Sequence, residues 1–190
     1  MPHDVDEARG SRSPAPANPV RFNLRRLVGG VRLLLTEASP WGLIRQRRIG
    51  ALEADLVAEV SSWPAVETAP HRYGGTEFLV DGREIGHVHD WGLTDVPFVR
   101  PLGEAVIGSG AAARHHVLPD SGWATTFLET PADRDRVRDL LRLSWCWHVA
   151  HFAPDGAALD RDAARREVAA LPLDDGVEQA FLSTLDSRSR

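Results

Sequence analysis

Apolar residues recur along the chain with two different periods, and the change between them divides it. Leu24, Leu27, Val28, Val31, Leu34 and Leu35 lie at the spacing of one helical face, with Arg21, Arg25, Arg26 and Arg32 on or beside its edges. That spacing predicts a basic amphipathic helix, in which Gly29-Gly30 costs up to about 2 kcal/mol of helix propensity. After the Ser39-Pro40 break, Ile49, Leu52, Leu56, Val57 and Val60 with acids between them predict a second helix, over Ile49 to Ser62, ending before Pro64.

Near residue 76 the period falls to two. Runs of β-branched and aromatic residues flank Asp81-Gly82, a dipeptide suited to a two-residue type I′ turn. Such a turn pairs Val80 with Arg83, Phe78 with Ile85 and Thr76 with His87. On that register His87 and His89 share a face with Phe78 and Ile85, while Glu77, Leu79, Glu84 and Val88 take the other.

Beyond the hairpin, Thr94 to Val99 reads as a short strand that Pro97 assigns to an edge. Pro101 to Gly108 or Gly110 reads as a short helix. Ala113 to Leu118 is expected to be extended, residues 119–122 to turn, and Trp123 to Leu128 to form a strong strand. Thr130-Pro131-Ala132-Asp133 opens a long helix to about Val149, with Val137, Leu140, Leu141 and Trp145 as its buried stripe. The expected organisation is a disordered leader (1–19), the basic helix (20–48), an α+β domain (49–152) and a helical C-terminal tail (153–190) broken at Leu171-Pro172. The expected fold class is α+β, a small antiparallel sheet packed by N-terminal and closing helices.

Composition narrows this little. A chain of 190 residues, 43% hydrophobic and 26% charged, suits one domain with tails. The single cysteine, Cys146, excludes an internal disulfide, and its apolar setting predicts a buried inert thiol. All 22 basic residues are arginine. The net charge of −5 argues against a nucleic-acid partner, but residues 21–48 hold seven arginines against Glu37 alone. That stretch either packs on the domain or lies on an anionic membrane surface with Trp41 at the interface. The first twenty residues have no signal-peptide pattern and no apolar run is long enough to span a bilayer, so the expected location is cytoplasmic, with peripheral membrane contact through residues 21–48 as an option.

Reactive chemistry concentrates in His87-Val88-His89-Asp90 and Arg114-His115-His116. Imidazoles at i and i+2 of a strand stand about 7 Å apart on one face, close enough to flank a small substrate or share a metal ion. If the two clusters converge, a histidine acts as general base and Arg114 as anion clamp, or His87, His89 and Asp90 hold a zinc- or iron-type ion. His115 and His116 point to opposite faces of an extended strand, so at most one joins the site directly. Glu77 and Glu84 read as a solvated pair on the far face, although Glu77, with Asp90, His115, His116 and Trp123, is also a candidate for holding substrate. Trp123, Trp91 and Phe98 are candidates to wall a flat aromatic ligand. The common phosphate-cradle, nucleophile-elbow and zincin motifs are absent from the sequence.

The series Glu77-Phe78, Arg83-Glu84-Ile85-Gly86-His87-Val88-His89-Asp90, Arg114-His115, Trp123 and the closing helix resembles the luciferase domain of fungal luciferases and of many bacterial proteins. The resemblance spans roughly residues 66–150. It implies oxidation of a hydroxypyrone, 3-hydroxyhispidin in the fungal enzymes, by molecular oxygen without an organic cofactor. It also implies a small aromatic or enolic ligand, with His87 and His89 as base candidates and Arg114 holding the anion. The fungal enzymes carry an N-terminal membrane anchor, to which residues 21–48 are only a loose counterpart. The order of elements also looks like the small α+β fold of the YjbR and MmcQ type. A non-catalytic module binding a small ligand or metal is the alternative function, and neither light emission nor oligomeric state follows from the residues.

Overall fold

In the computed structural model, residues 40–153 and 159–187 are described, the side chains of Pro40 and Trp41 excepted. The apolar stripe of residues 24–35 and the Trp41 side chain lie outside that range.

Helix α1 (Pro40–Ser61) leads into six strands: β1 (Val66–Pro70), β2 (Thr76–Val80), β3 (Arg83–Val88), β4 (Leu93–Val96), β5 (Ala113–Arg114) and β6 (Ala124–Phe127). Helix α2 (Arg100–Gly108) intervenes between β4 and β5, and α3 (Pro131–Phe152), α4 (Arg161–Ala169) and α5 (Asp175–Asp186) follow β6. The strands form one antiparallel sheet in the order β1-β2-β3-β4-β6-β5. The fold is α+β, as expected. Helix α1 runs unbroken through residues 48 and 49, where the sequence pattern had suggested a boundary.

Helices α1 and α3 cover one face of the sheet. Phe78, Val80, Ile85, Val88 and Val96 point into that layer, against Leu56 and Val60 of α1 and Leu140, Leu141 and Trp145 of α3. Pro131 sits in the first turn of α3, and Thr130 caps it in a reciprocal box with Asp133, a device worth about 1 kcal/mol. Cys146 is fully buried, and that burial pushes its thiol up to about 12, as expected of an inert core cysteine. Among the described residues no helix is long and apolar enough to cross a membrane.

Two expectations about the sheet need correction. Strand β4 is central, between β3 and β6, and Pro97 follows its last residue, so the missing N–H interrupts no ladder. The hairpin turn forms at Asp81-Gly82, with φ of 50° and 68°, and Val80 does face Arg83. The register then slips at a β-bulge: Leu79 pairs with Glu84, but Phe78 pairs with Gly86, Glu77 with His87 and Thr76 with Val88. Ile85 and Gly86 both lie toward the helical layer, and every side chain after them changes face relative to the expected register. His87 and His89 therefore share the open face with Glu77 and Glu84, and Phe78 and Ile85 lie in the core.

Gly86 is what the bulge requires. Its φ is 152°, and a Cβ there would sit 2.5 Å from Leu141 Cδ2 and 3.1 Å from the Asp95 carbonyl oxygen. At Gly82, by contrast, a Cβ would meet nothing within 4 Å. Gly86→Ala is therefore expected to lower unfolding free energy by about 2 kcal/mol or more, and Gly82→Ala by about 1 kcal/mol. Urea denaturation of the two variants checks the order, and equal losses would contradict the packing argument.

Candidate functional site

The sheet face away from α1 and α3 carries a cavity of about 850 Å³. Its floor is one cross-strand row, because Glu77 pairs with His87, His87 with Asp95, and Asp95 with Thr125. Four strands thus each contribute one polar side chain to a single line. His71, His89 and His115 flank that line, Trp123 and Trp91 form walls, and Tyr73, Val117 and Leu118 rim the mouth.

Asp95 is the centre of the row and is 1% exposed. It accepts from the Thr125 hydroxyl at Oδ1, and its Oδ2 lies 3.3 Å from His87 Nε2 and 3.5 Å from His115 Nε2. Burial alone would raise its carboxyl; the bonds from His87 and Thr125 and the nearby His115 outweigh that and hold it below the ordinary carboxylate value.

His87 is gripped at both nitrogens, with Nδ1 2.5 Å from Glu84 Oε1 and Nε2 facing Asp95. Only the imidazolium donates from both positions. Burial works against that charge, but the hydrogen bonds that His87 donates to Asp95 and Glu84, together with their charges, overcome it and push the group up to about 9.

The other imidazoles are held in the opposite state. His71 stacks on His87 with ring centroids 3.9 Å apart and planes 10° from parallel. His89 meets both rings edge-on, at 4.8 Å from His87 and 4.9 Å from His71. Burial first, and then the positive His87, lowers both. His89 Nδ1 lies 3.0 Å from the Gly74 carbonyl oxygen, which places its proton there and leaves the Nε2 lone pair free. Trp91 stacks on the His89 ring at 4.4 Å. His71 Nδ1 is buried and has no hydrogen-bond partner among the described residues.

His115 is fixed as well. Its Nδ1 accepts from the backbone N–H groups of Val117 and Leu118, at 3.1 and 3.0 Å, so in the neutral ring the proton is on Nε2, toward Asp95. Burial lowers this histidine against the pull of Asp95.

Of the residues singled out in the sequence, the structure brings together His87, His89, Glu77, His115, His116 and Trp123. His115 and His116 both line the cavity, stacked at 4.8 Å, because β5 ends at Arg114 and strand alternation stops there. Arg114 does not join them. It pairs with Ala124, which puts it toward the helical layer, and both its terminal nitrogens bind Glu104 of α2 at 2.7 and 2.6 Å. Asp90 is exposed at the turn into β4 and does not line the cavity. Phe98 is in the core.

Sequence reasoning missed His71, Asp95 and the involvement of Glu84. The bulge hid Glu84, and the assignment of β4 to an edge hid Asp95. An aspartate between Thr94 and Val96, in a strand that must pair on both sides, was the available signal. His71 reaches the floor through its loop: His71 N–H donates to the Gly75 carbonyl, and a Cβ on Gly75 would sit 2.0 Å from the Val88 carbonyl oxygen. Only a glycine lets that loop close onto β3.

Two sets of potential metal ligands result, His71-His87-His89 and Asp95-His115-His116, each with one ligand atom per residue within 4.8 Å of the others.

The open face of the antiparallel sheet thus carries an imidazole-floored, aromatic-walled cavity. In comparison with family models, residues 82–144 match the luciferase domain family. The matched stretch begins in the hairpin turn and ends within α3, and it holds His87, His89, Asp95, His115 and Trp123 but not His71. The chain is similar to that family over this stretch, in agreement with the resemblance read from the sequence. No curated protein and no solved structure matches the chain.

Opposed shifts make the site dependent on pH. A histidine raised above its ordinary value contributes its full stability below about pH 6.5 and loses it as pH rises through about 9. Asp95, lowered, contributes above its ordinary value and loses that as pH falls through its folded value. In metal-free protein, moving from about pH 7 to about pH 10 is expected to cost on the order of 2 kcal/mol, with the His87 ring titrating near 9 by imidazole NMR. Asp95→Asn should bring that titration down, and a His87 that titrates near 6.5 in the wild type would contradict the two-carboxylate grip.

Proposed function

We propose that the protein is a luciferase-like oxidoreductase that reacts a small aromatic or enolic substrate, of hydroxypyrone type, with molecular oxygen in this cavity, without an organic cofactor. The observation that carries the reading is the difference in partners on the floor: His87 has a carboxylate at each ring nitrogen, whereas His89 is held only at Nδ1, by the Gly74 carbonyl oxygen. The domain-level similarity to the luciferase family supports it.

The chemistry follows from what each group has left to offer. His87 donates from both nitrogens and has no lone pair, so it serves as fixed positive charge and not as base. His89 takes the enol proton at Nε2, with its other nitrogen steadied on the Gly74 carbonyl. The resulting enolate, the electron-rich species that oxygen attacks, forms beside the His87 cation. Glu77, Glu84 and Asp95 make the floor anionic, so the substrate enters as the neutral enol and ionises only as its proton leaves. Trp91 and Trp123 offer flat walls to an aromatic ring. Arg114, bound to Glu104, has no part in this scheme.

His89→Ala is expected to lower oxygen uptake with hydroxypyrone substrates by roughly 100-fold or more with the circular dichroism spectrum unchanged, whereas Arg114→Ala should leave uptake near wild type. Uptake that survives in His89→Ala and disappears in Arg114→Ala would reverse the assignment. Should the folded wild type bind such a compound and consume no oxygen, the non-catalytic ligand-binding reading is the correct one.

A further inference from the structure

The charge of the floor is not balanced by the groups that line it. Glu77, Glu84 and Asp95 face the cavity, Arg72 is the only arginine among the lining residues, and His87 supplies the one other positive charge. Three imidazoles meet at this same place. His71 Nδ1 is buried with no hydrogen-bond partner among the described residues, a cost that proteins seldom leave uncompensated.

We infer that His71, His87 and His89 form a binding site for a divalent transition-metal ion of the zinc or cobalt type. Each of the three offers a ligand nitrogen within 4.8 Å of the other two. Ligands on one ion stand about 3.4 Å apart for bonds near 2.1 Å, so an ion would draw the three nitrogens closer, and His71 lies on the loop between β1 and β2. Ligand histidines in metal sites usually hold their second nitrogen on a carboxylate or a backbone carbonyl, and two of these three do so already. His89 Nδ1 is on the Gly74 carbonyl oxygen, and whichever nitrogen of His87 faces the ion, the other keeps Glu84 or Asp95. His87 joins the set by giving up the proton of the nitrogen that turns to the ion, whose charge then takes that proton's place beside the carboxylates. Three imidazoles with a carboxylate behind one of them suit zinc or cobalt better than magnesium or calcium, which prefer oxygen ligands.

The neighbouring set does not qualify. Backbone donors at Val117 and Leu118 occupy the His115 Nδ1 lone pair, so neutral His115 carries its proton on the nitrogen that faces Asp95 and has no lone pair there for an ion. The site also differs from the His87-His89-Asp90 set suggested by the sequence, since Asp90 is exposed and does not line the cavity.

Metal binding does not depend on the proposed oxidation, although an ion and an enol proton would compete for the same His89 lone pair. The test therefore reads binding and not turnover. Untagged full-length protein, stripped with chelator, is titrated near neutral pH with Co²⁺ by visible absorption and with Zn²⁺ by calorimetry. The expected result is one ion per chain with a tetrahedral cobalt spectrum, affinity reduced by about tenfold or more in His71→Ala and again in His71→Gln, and wild-type affinity in His116→Ala. Binding should weaken as pH falls, because the ligand nitrogens must lose their protons. No saturable binding, or binding that both His71 variants retain and His116→Ala loses, overturns the assignment. His71 lies on a loop, so its variants keep the sheet intact, and melting curves of the chelated proteins confirm that.

Discussion

The buried carboxylate of Asp95 is the interaction around which the candidate site is built. It is nearly inaccessible to water, and it is compatible with that position only because a hydroxyl and two imidazoles from neighbouring elements satisfy it. Those partners come from β3, from β6 and from the turn after β5, so the carboxylate fixes the lateral order of the sheet where the cavity lies. It also sets the chemistry above it. With Glu84 it favours the charged form of His87, and that charge adds to burial in lowering His71 and His89.

The two faces of the sheet illustrate how one set of strands serves two solvents. Toward α1 and α3 the strands present Phe78, Val80, Ile85, Val88 and Val96, and the helices seal them. On the other face the same strands carry the polar row, and among the described residues short loops, not helices, border it. The helical layer supplies the stability that lets a row of charged groups stay in place. Glycines at 75 and 86 mark where backbone or side chain had to come closer than a methyl group allows.

Much of this was legible beforehand, and the failures have physical causes. Helical and strand periods located most elements, Asp81-Gly82 located the turn, and the two histidines at alternate positions did share a face. The convergence of the His87 strand with the residues after Arg114 was also readable, as was the inert setting of Cys146. Register was not, because a bulge of one residue leaves the local pattern of Arg83 to Val88 looking regular. The position of β4 was not, because Pro97 suggested an edge although it lies outside the strand. Arg114 looked like an anion clamp because its partner, Glu104, is on a helix whose packing no local pattern discloses. His71 had no local signal at all, since only a loop closing through Gly75 brings it to the floor.

The bulge at Ile85-Gly86 also acts as a parity switch. Before it, an even-numbered residue of β3, Glu84, faces the cavity; after it the odd-numbered His87 and His89 do. The string from Arg83 to His89 thus contains two reading frames joined at a glycine, and its chemistry exists only in their combination. Losing one residue at the junction would change no reactive side chain, yet it would turn both imidazoles into the hydrocarbon layer and carry Val88 out to the solvent side. In a strand that serves both a core and a cavity, the count of residues determines what lines each as much as their identity does.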